Sequence, residues 1–211
     1  MISRFAAVCV LSAMCGSFSG AVLCATPIDV NEEQVKAWNR FSKTLFNLHK
    51  RQIAGREIRK TEEAGRYGGE MAKKYSFRDV SYYDAKTGRL LSHVRWDGDR
   101  PDVYHIVEVF VYDDAGRLVR DFSSIYLPWA RNAPIRTFVN LHRHSGDLHA
   151  YRQFDASGRR LYEQCKGRVS DETIEISLES QDITAQATAS PEYKVCFAAM
   201  PETAGDYLTP Q

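Results

Sequence analysis

One phrase, written three times, limits what this chain can become. It reads Tyr83-Asp84-Ala85-Lys86-Thr87-Gly88-Arg89-Leu90, then Tyr112-Asp113-Asp114-Ala115-Gly116-Arg117-Leu118, then Phe154-Asp155-Ala156-Ser157-Gly158-Arg159-Arg160-Leu161. Each copy runs aromatic, Asp, small turn, Gly, Arg, apolar. An Asp side chain accepts hydrogen bonds from the amides of its own turn, and Gly takes the positive φ that a right-twisted hairpin imposes. The phrase is therefore a strand end, a reversal and a strand start. Three copies imply antiparallel strands folded back on one another in chain order.

The residues between the corners support this. From Tyr75 onward the apolar period is two, and strands are expected over 76–84, 89–96, 103–112, 117–127, 135–144, 148–154, 159–167 and 172–179. The stretch His105 to Tyr112 is apolar on both faces but for Glu108, and is expected to be the most buried, central strand. Ahead of the strands the period is that of a helix. Val35, Trp38, Phe41, Leu45 and Leu48 form one face of a helix expected from Asn31 to about Lys60, with Asp29 or Asn31 as its cap. The basic second half, Lys50 to Lys60, reads as a solvated face. Gly65, Gly68 and Gly69 then read as a joint.

The expected fold class is mainly β (α+β), a curved antiparallel meander of about eight strands with one N-terminal amphipathic helix packed on it. The helix would lie across the concave side. Four parts are expected: a signal peptide over 1–25, the helix and Gly-rich joint over 26–74, the sheet domain over 75–200, and a loose tail over 201–211.

The signal peptide rests on Arg4 followed by a mostly apolar, small-residue run from Phe5 to Leu23, with cleavage after Ala21 or Ala25. The run is too short and too rich in Ser, Gly and Cys for a membrane span. The expected location is periplasmic or secreted. Lipoprotein anchoring through Cys15 or Cys24 is the weaker alternative, because Met14 and Leu23 fit poorly before a modified Cys. After cleavage at Ala25 two cysteines remain, Cys165 and Cys196, and an exported chain pairs them as a disulfide. Lys plus Arg is 28 against 27 for Asp plus Glu. That balance gives no argument for nucleic acid as a partner.

The second corner, Tyr112 to Leu118, resembles the YD (RHS-type) repeat, whose signature is Tyr-Asp-x-x-Gly-Arg-Leu. The copy at Tyr83 has one extra turn residue, and the copy at Phe154 has Phe for Tyr and an extra Arg. The spacing between copies is irregular. The resemblance implies a structural β-scaffold and carries over no catalytic residues.

Several side-chain groups suggest chemistry. In His142-x-His144-Ser145-Gly146-Asp147-Leu148-His149, three imidazoles face one way if His149 pairs with His144, and could then hold Zn or Cu with Asp147 or water. One register step removes that site. Asp97, Asp99 and Asp102 share a loop that Gly98 and Pro101 explain as an ordinary turn. Glu108, in a strand expected to be buried, needs a partner, and Arg95, Arg120 and Arg136 are the candidates. Glu163 is a similar case, with His149 or Arg152. Ile125 to Ala130 is apolar on both faces and leads into Arg131. Tyr126, Trp129 and Arg131 are therefore the candidate docking residues, since Tyr, Trp and Arg carry interface energy.

No nucleophile elbow, zinc-protease helix, phosphate loop or dinucleotide fingerprint occurs in the chain. The expected function is an exported, non-catalytic binding or protein-interaction module using the concave sheet face, with an unknown protein or a small apolar ligand as partner. A metal-binding protein through the His hairpin is the alternative. A hydrolase of unknown class, resting on Glu108 and scattered histidines, is the third.

Overall fold

The computed structural model describes residues 32–69, 73–170 and 172–211. The expected signal peptide, with Cys9, Cys15 and Cys24, and the capping candidates Asp29 and Asn31 lie outside these residues. Helix α1 (Glu33–Ile53) is followed by nine strands: β1 (Ile58–Arg66), β2 (Ser76–Asp84), β3 (Leu90–Asp97), β4 (Tyr104–Tyr112), β5 (Leu118–Ile125), β6 (Arg136–Ser145), β7 (Leu148–Phe154), β8 (Arg160–Val169) and β9 (Glu172–Glu179). All pair antiparallel with their chain neighbours, in the spatial order β1 to β9. Short helices α2 (Ala185–Ala189) and α3 (Pro191–Phe197) and a 3-10 turn at Gly205–Leu208 complete the described chain.

Gly88, Gly116 and Gly158 all stand at reversals between neighbouring strands, with φ of 72°, 83° and 87°. The carboxylates work as the phrase requires. Asp84 Oδ1 accepts the amides of Lys86 and Thr87, Asp113 Oδ1 that of Arg117, and Asp155 Oδ1 those of Ser157 and Arg159. Turn chemistry thus sets the strand order, and the expected meander is the observed fold.

Helix α1 packs on β3–β6 through the expected face. Phe41, Leu45 and Leu48 are buried against Val94, Val107, Val109, Phe122 and Val139, and Val35 is buried as well. Each such fully buried side chain contributes on the order of 1.5–3 kcal/mol. Polar contacts fix the helix on the sheet. Asn39 Nδ2 donates to the Asn132 carbonyl at 2.8 Å, and Gln52 Nε2 donates to the Phe110 carbonyl at 3.0 Å.

The helix is shorter than the periodicity suggests. It ends at Ile53, Gly55 turns the chain with φ 70°, and 58–66 forms β1. Residues Arg59 to Glu63 belong to an edge strand rather than to a helical face. An edge strand open to water has no apolar alternation to betray it. Its charges discourage a second sheet from pairing there, and Glu172, Glu175 and Glu179 do the same on β9.

The C-terminal segment folds back over β7 and β8. The Cys165–Cys196 disulfide joins β8 to α3 across a separation of 31 residues. Beside it Arg152, at 1% exposure, forms an ion pair with Glu163, at 0%. Arg152 also donates to the carbonyls of Met200 and Pro201 and to the Tyr193 hydroxyl, and that hydroxyl donates to Glu163 at 2.7 Å. Of the two partners considered for Glu163, Arg152 is the one it has. In the final residues Ala204 is buried and Pro210 accepts from Arg51 through its carbonyl.

One titratable core group lies between the helix and the sheet. His49 is buried under α1, with Nδ1 2.7 Å from Ser92 Oγ. Burial, supported by the Lys50 and Lys60 charges, pulls its pKa from 6.5 to about 4. A base with a depressed folded pKa favours the fold above its unfolded pKa, and that contribution is lost as pH falls through the window from 6.5 to 4. The loss is up to about 3 kcal/mol. Urea midpoints from pH 7 to 4 are expected to fall more steeply for the wild type than for His49→Gln. Parallel curves would contradict this.

Candidate functional site

Three connections meet at one end of the sheet: the segment leading into β2, the β3–β4 loop, and the β5–β6 connection. Between them lies a cleft of about 660 Å³, lined by Lys74, Tyr75, Asp97, Asp99, Arg100, Pro128, Trp129, Arg131 and Asn132. They converge because β2 starts, β3 ends, β4 starts, β5 ends and β6 starts at this end of the meander.

Of the candidate docking residues, Trp129 and Arg131 line the cleft and Tyr126 supports it. Trp129 is 45% exposed, and its ring lies 5.9 Å from that of Tyr75. Tyr126 is buried, and its hydroxyl donates to Asn39 Oδ1 on α1 at 3.1 Å. The Arg131 guanidinium sits over the Tyr126 ring at 5.4 Å. Its Nη1 is buried and has no hydrogen-bond partner. Burial, and then the nearby Arg100 charge, press the Arg131 pKa downward.

Asp97 closes the floor. Its carboxylate accepts from Arg100 Nε at 3.0 Å, from the amides of Asp99 and Arg100 at 3.0 Å each, and from His105 Nε2 at 3.2 Å. Burial opposes its charge, but the Arg100 guanidinium and the two amides outweigh burial and hold the carboxyl at about 2. With its oxygens so occupied, Asp97 serves the loop as a turn anchor. Behind it His105 is fully buried, with Nδ1 2.7 Å from the Tyr67 hydroxyl. Burial, then Arg131, push the His105 pKa down. In the neutral tautomer protonated at Nε2, the ring donates to Asp97 and accepts from the Tyr67 hydroxyl at Nδ1.

Glu108 lies elsewhere. It is on the sheet face opposite α1, with His93 Nδ1 at 3.2 Å as its partner. The three arginines considered for it are otherwise engaged. Arg95 makes a two-bond pair with Asp79, Arg120 stands over the Tyr207 ring, and Arg136 over Phe138. Strand β4 is buried on one face only, with Ile106, Glu108 and Phe110 half-buried on the other. No described element packs over that side of β4. Glu108 therefore pairs at a partly wet surface, and β4 is not the doubly buried strand its composition suggests.

The histidine hairpin takes the register that brings its rings together, with His144 opposite His149. The rings of His142 and His149 stack at 5.2 Å, and those of His144 and His149 at 4.7 Å. Their nitrogens face one another or neighbouring strands rather than a common point. His142 Nε2 is 2.7 Å from Asp121 Oδ2, His142 Nδ1 is 3.0 Å from His149 Nε2, and His144 Nε2 donates to the Leu118 carbonyl at 2.9 Å. A zinc site needs nitrogens converging at about 2.0–2.1 Å from one point. Among the described residues, no group of three or more His, Cys, Asp or Glu is placed to hold a metal ion.

Sequence reasoning missed Tyr75, Lys74 and Arg100 as cleft residues. Only the Gly and Pro of the Asp97–Asp102 loop mark that region, and they mark it as a turn. No protein-family model, no curated protein and no solved structure matches this chain.

Proposed function

We propose that this is an exported, non-catalytic binding module that takes its ligand in the cleft around Trp129 and Arg131. The single observation that carries the reading is the convergence of an exposed Trp, a Tyr and two arginines on one concavity. Aromatic and Arg side chains are the residue types that dominate recognition energies. The cleft volume lies in the range of small-molecule sites. Helix α1 covers β3–β6 on its own face, and the cleft opens beside it. The disulfide supports export, because such bonds persist in oxidising compartments. The YD-like corners act as scaffold, holding the three connections at fixed spacing.

A fragment screen by ligand-observed NMR tests this. Fragments that bind the wild type are expected to lose their saturation transfer in Trp129→Ala. Trp129 is a surface side chain, so the variant is expected to keep the wild-type melting temperature within a few degrees. Bound fragments that ignore both Trp129→Ala and Arg131→Ala would place recognition outside the cleft.

A further inference from the structure

We infer that the ligand of the cleft is an aromatic carboxylate, its carboxylate bound by Arg131 and its flat ring laid on Trp129 and Tyr75. This rests on the cleft being the binding site.

The charge argument starts at Arg131. Its guanidinium is partly removed from water, one nitrogen is buried without a partner, and among the described residues no carboxylate forms an ion pair with it. A desolvated cation lacking a counter-charge is costly unless something compensates. The Tyr126 ring behind it supplies part of that compensation through its π face. Because this desolvation is already present in the free protein, an incoming anion meets a cation that need not shed its full hydration shell. Arg100 stands half exposed at the same wall but is paired with Asp97 through Nε and Nη2, and Lys74 adds a cation at the rim. Asp97 makes no ion pair with Arg131, since Arg100, His105 and two amides occupy its oxygens, although its charge favours the Arg131 cation from a distance. Only Asp99 remains as a lining acid. Its repulsion disfavours a dianion such as phosphate more than a monoanion.

The ring argument starts at Trp129. An indole left nearly half exposed beside a tyrosine forms an apolar floor. A planar aromatic body fits such a floor by offset stacking. Guanidinium groups bind carboxylates through two parallel hydrogen bonds, which orients the plane of the ligand as well as its charge. A second cleft near Arg117, Arg120 and Arg143 differs in this respect. There Arg117 pairs with Asp113, Arg143 donates to the carbonyls of Val195 and Cys196, and Arg120 covers Tyr207.

Calorimetry on the mature protein tests the inference with 2-naphthoate, its neutral amide, and inorganic phosphate. Naphthoate is expected to bind at one site, at least tenfold more tightly than the amide or phosphate. Arg131→Gln is expected to weaken naphthoate at least tenfold and to erase its advantage over the amide. Trp129→Ala is expected to weaken both ring compounds alike. An amide that binds the wild type as well as naphthoate overturns the carboxylate but leaves the cleft standing, provided Trp129→Ala still weakens it. Phosphate binding as tightly as naphthoate overturns the ring. Naphthoate that fails to bind, or binds equally to both variants, overturns the inference; if the fragment hits also ignore both substitutions at these positions, the cleft falls with it. The comparison of acid with amide needs no variant, so a poorly folding Arg131→Gln does not block the test.

Discussion

Replacing Glu163 by alanine is expected to cost about 3–5 kcal/mol of stability, the usual range for breaking a buried ion pair from one side. The loss would show as a lower urea midpoint. The cause is what remains. Arg152 is 1% exposed and would be left charged in the core, with only the Tyr193 hydroxyl and the carbonyls of Met200 and Pro201 to solvate it. The second expected result separates this cause from simple loss of packing. In Arg152→Met/Glu163→Leu the two fully buried charges leave together, the partly exposed Arg160 that also contacts Glu163 can turn to water, and most of the stability should return, since a buried pair is often no better than apolar residues of similar volume. A double variant as unstable as Glu163→Ala would show that the pair itself, rather than the orphaned charge, is what matters. Arg152→Met alone should also loosen 200–211, seen as faster amide exchange there than in β4 or β5.

Reducing the Cys165–Cys196 bond is expected to remove about 3.5 kcal/mol, from the entropy of closing a loop of 31 residues in the unfolded chain. Cys165→Ala/Cys196→Ala should show the same fall and should be insensitive to added reductant. Both sulfurs are buried, so reduction requires α3 to lift first. Reduction of the native protein should therefore be slow, and should speed up in mild urea. Equal midpoints with and without reductant would mean that Arg152 and its partners hold the C-terminal segment unaided.

The sequence made the sheet legible because turn chemistry is local. Asp84, Asp113 and Asp155 each bond amides two to four residues away, so the corners can be read without knowing the tertiary fold. Eight strands, β2 to β9, then follow by alternation. Strand β1 was not legible, because neither of its faces is covered and its charges mimic a solvated helix. The cleft was half legible. The segment from Tyr126 to Arg131 stands out by composition, whereas Tyr75 and Arg100 reach it only through strand order. For the histidines, register could be guessed, but the claim of Asp121 on His142 comes from β5, the strand beside the hairpin rather than within it. Glu108 looked anomalous on the assumption that both faces of β4 are dry. His93, directly opposite it in the register, resolves the anomaly.

Neighbour-only pairing has a consequence for assembly. No strand must wait for a distant segment before it can find its place, so the ribbon can grow one hairpin at a time from whichever end is available first. Such topologies have short average loops and low barriers to nucleation. The pieces that span large separations are α1, which needs β3–β6 beneath it, and the tail, which needs β7 and β8. These two clasps should form late, and the interval before they do is when the apolar side of the growing ribbon is most open to misassociation.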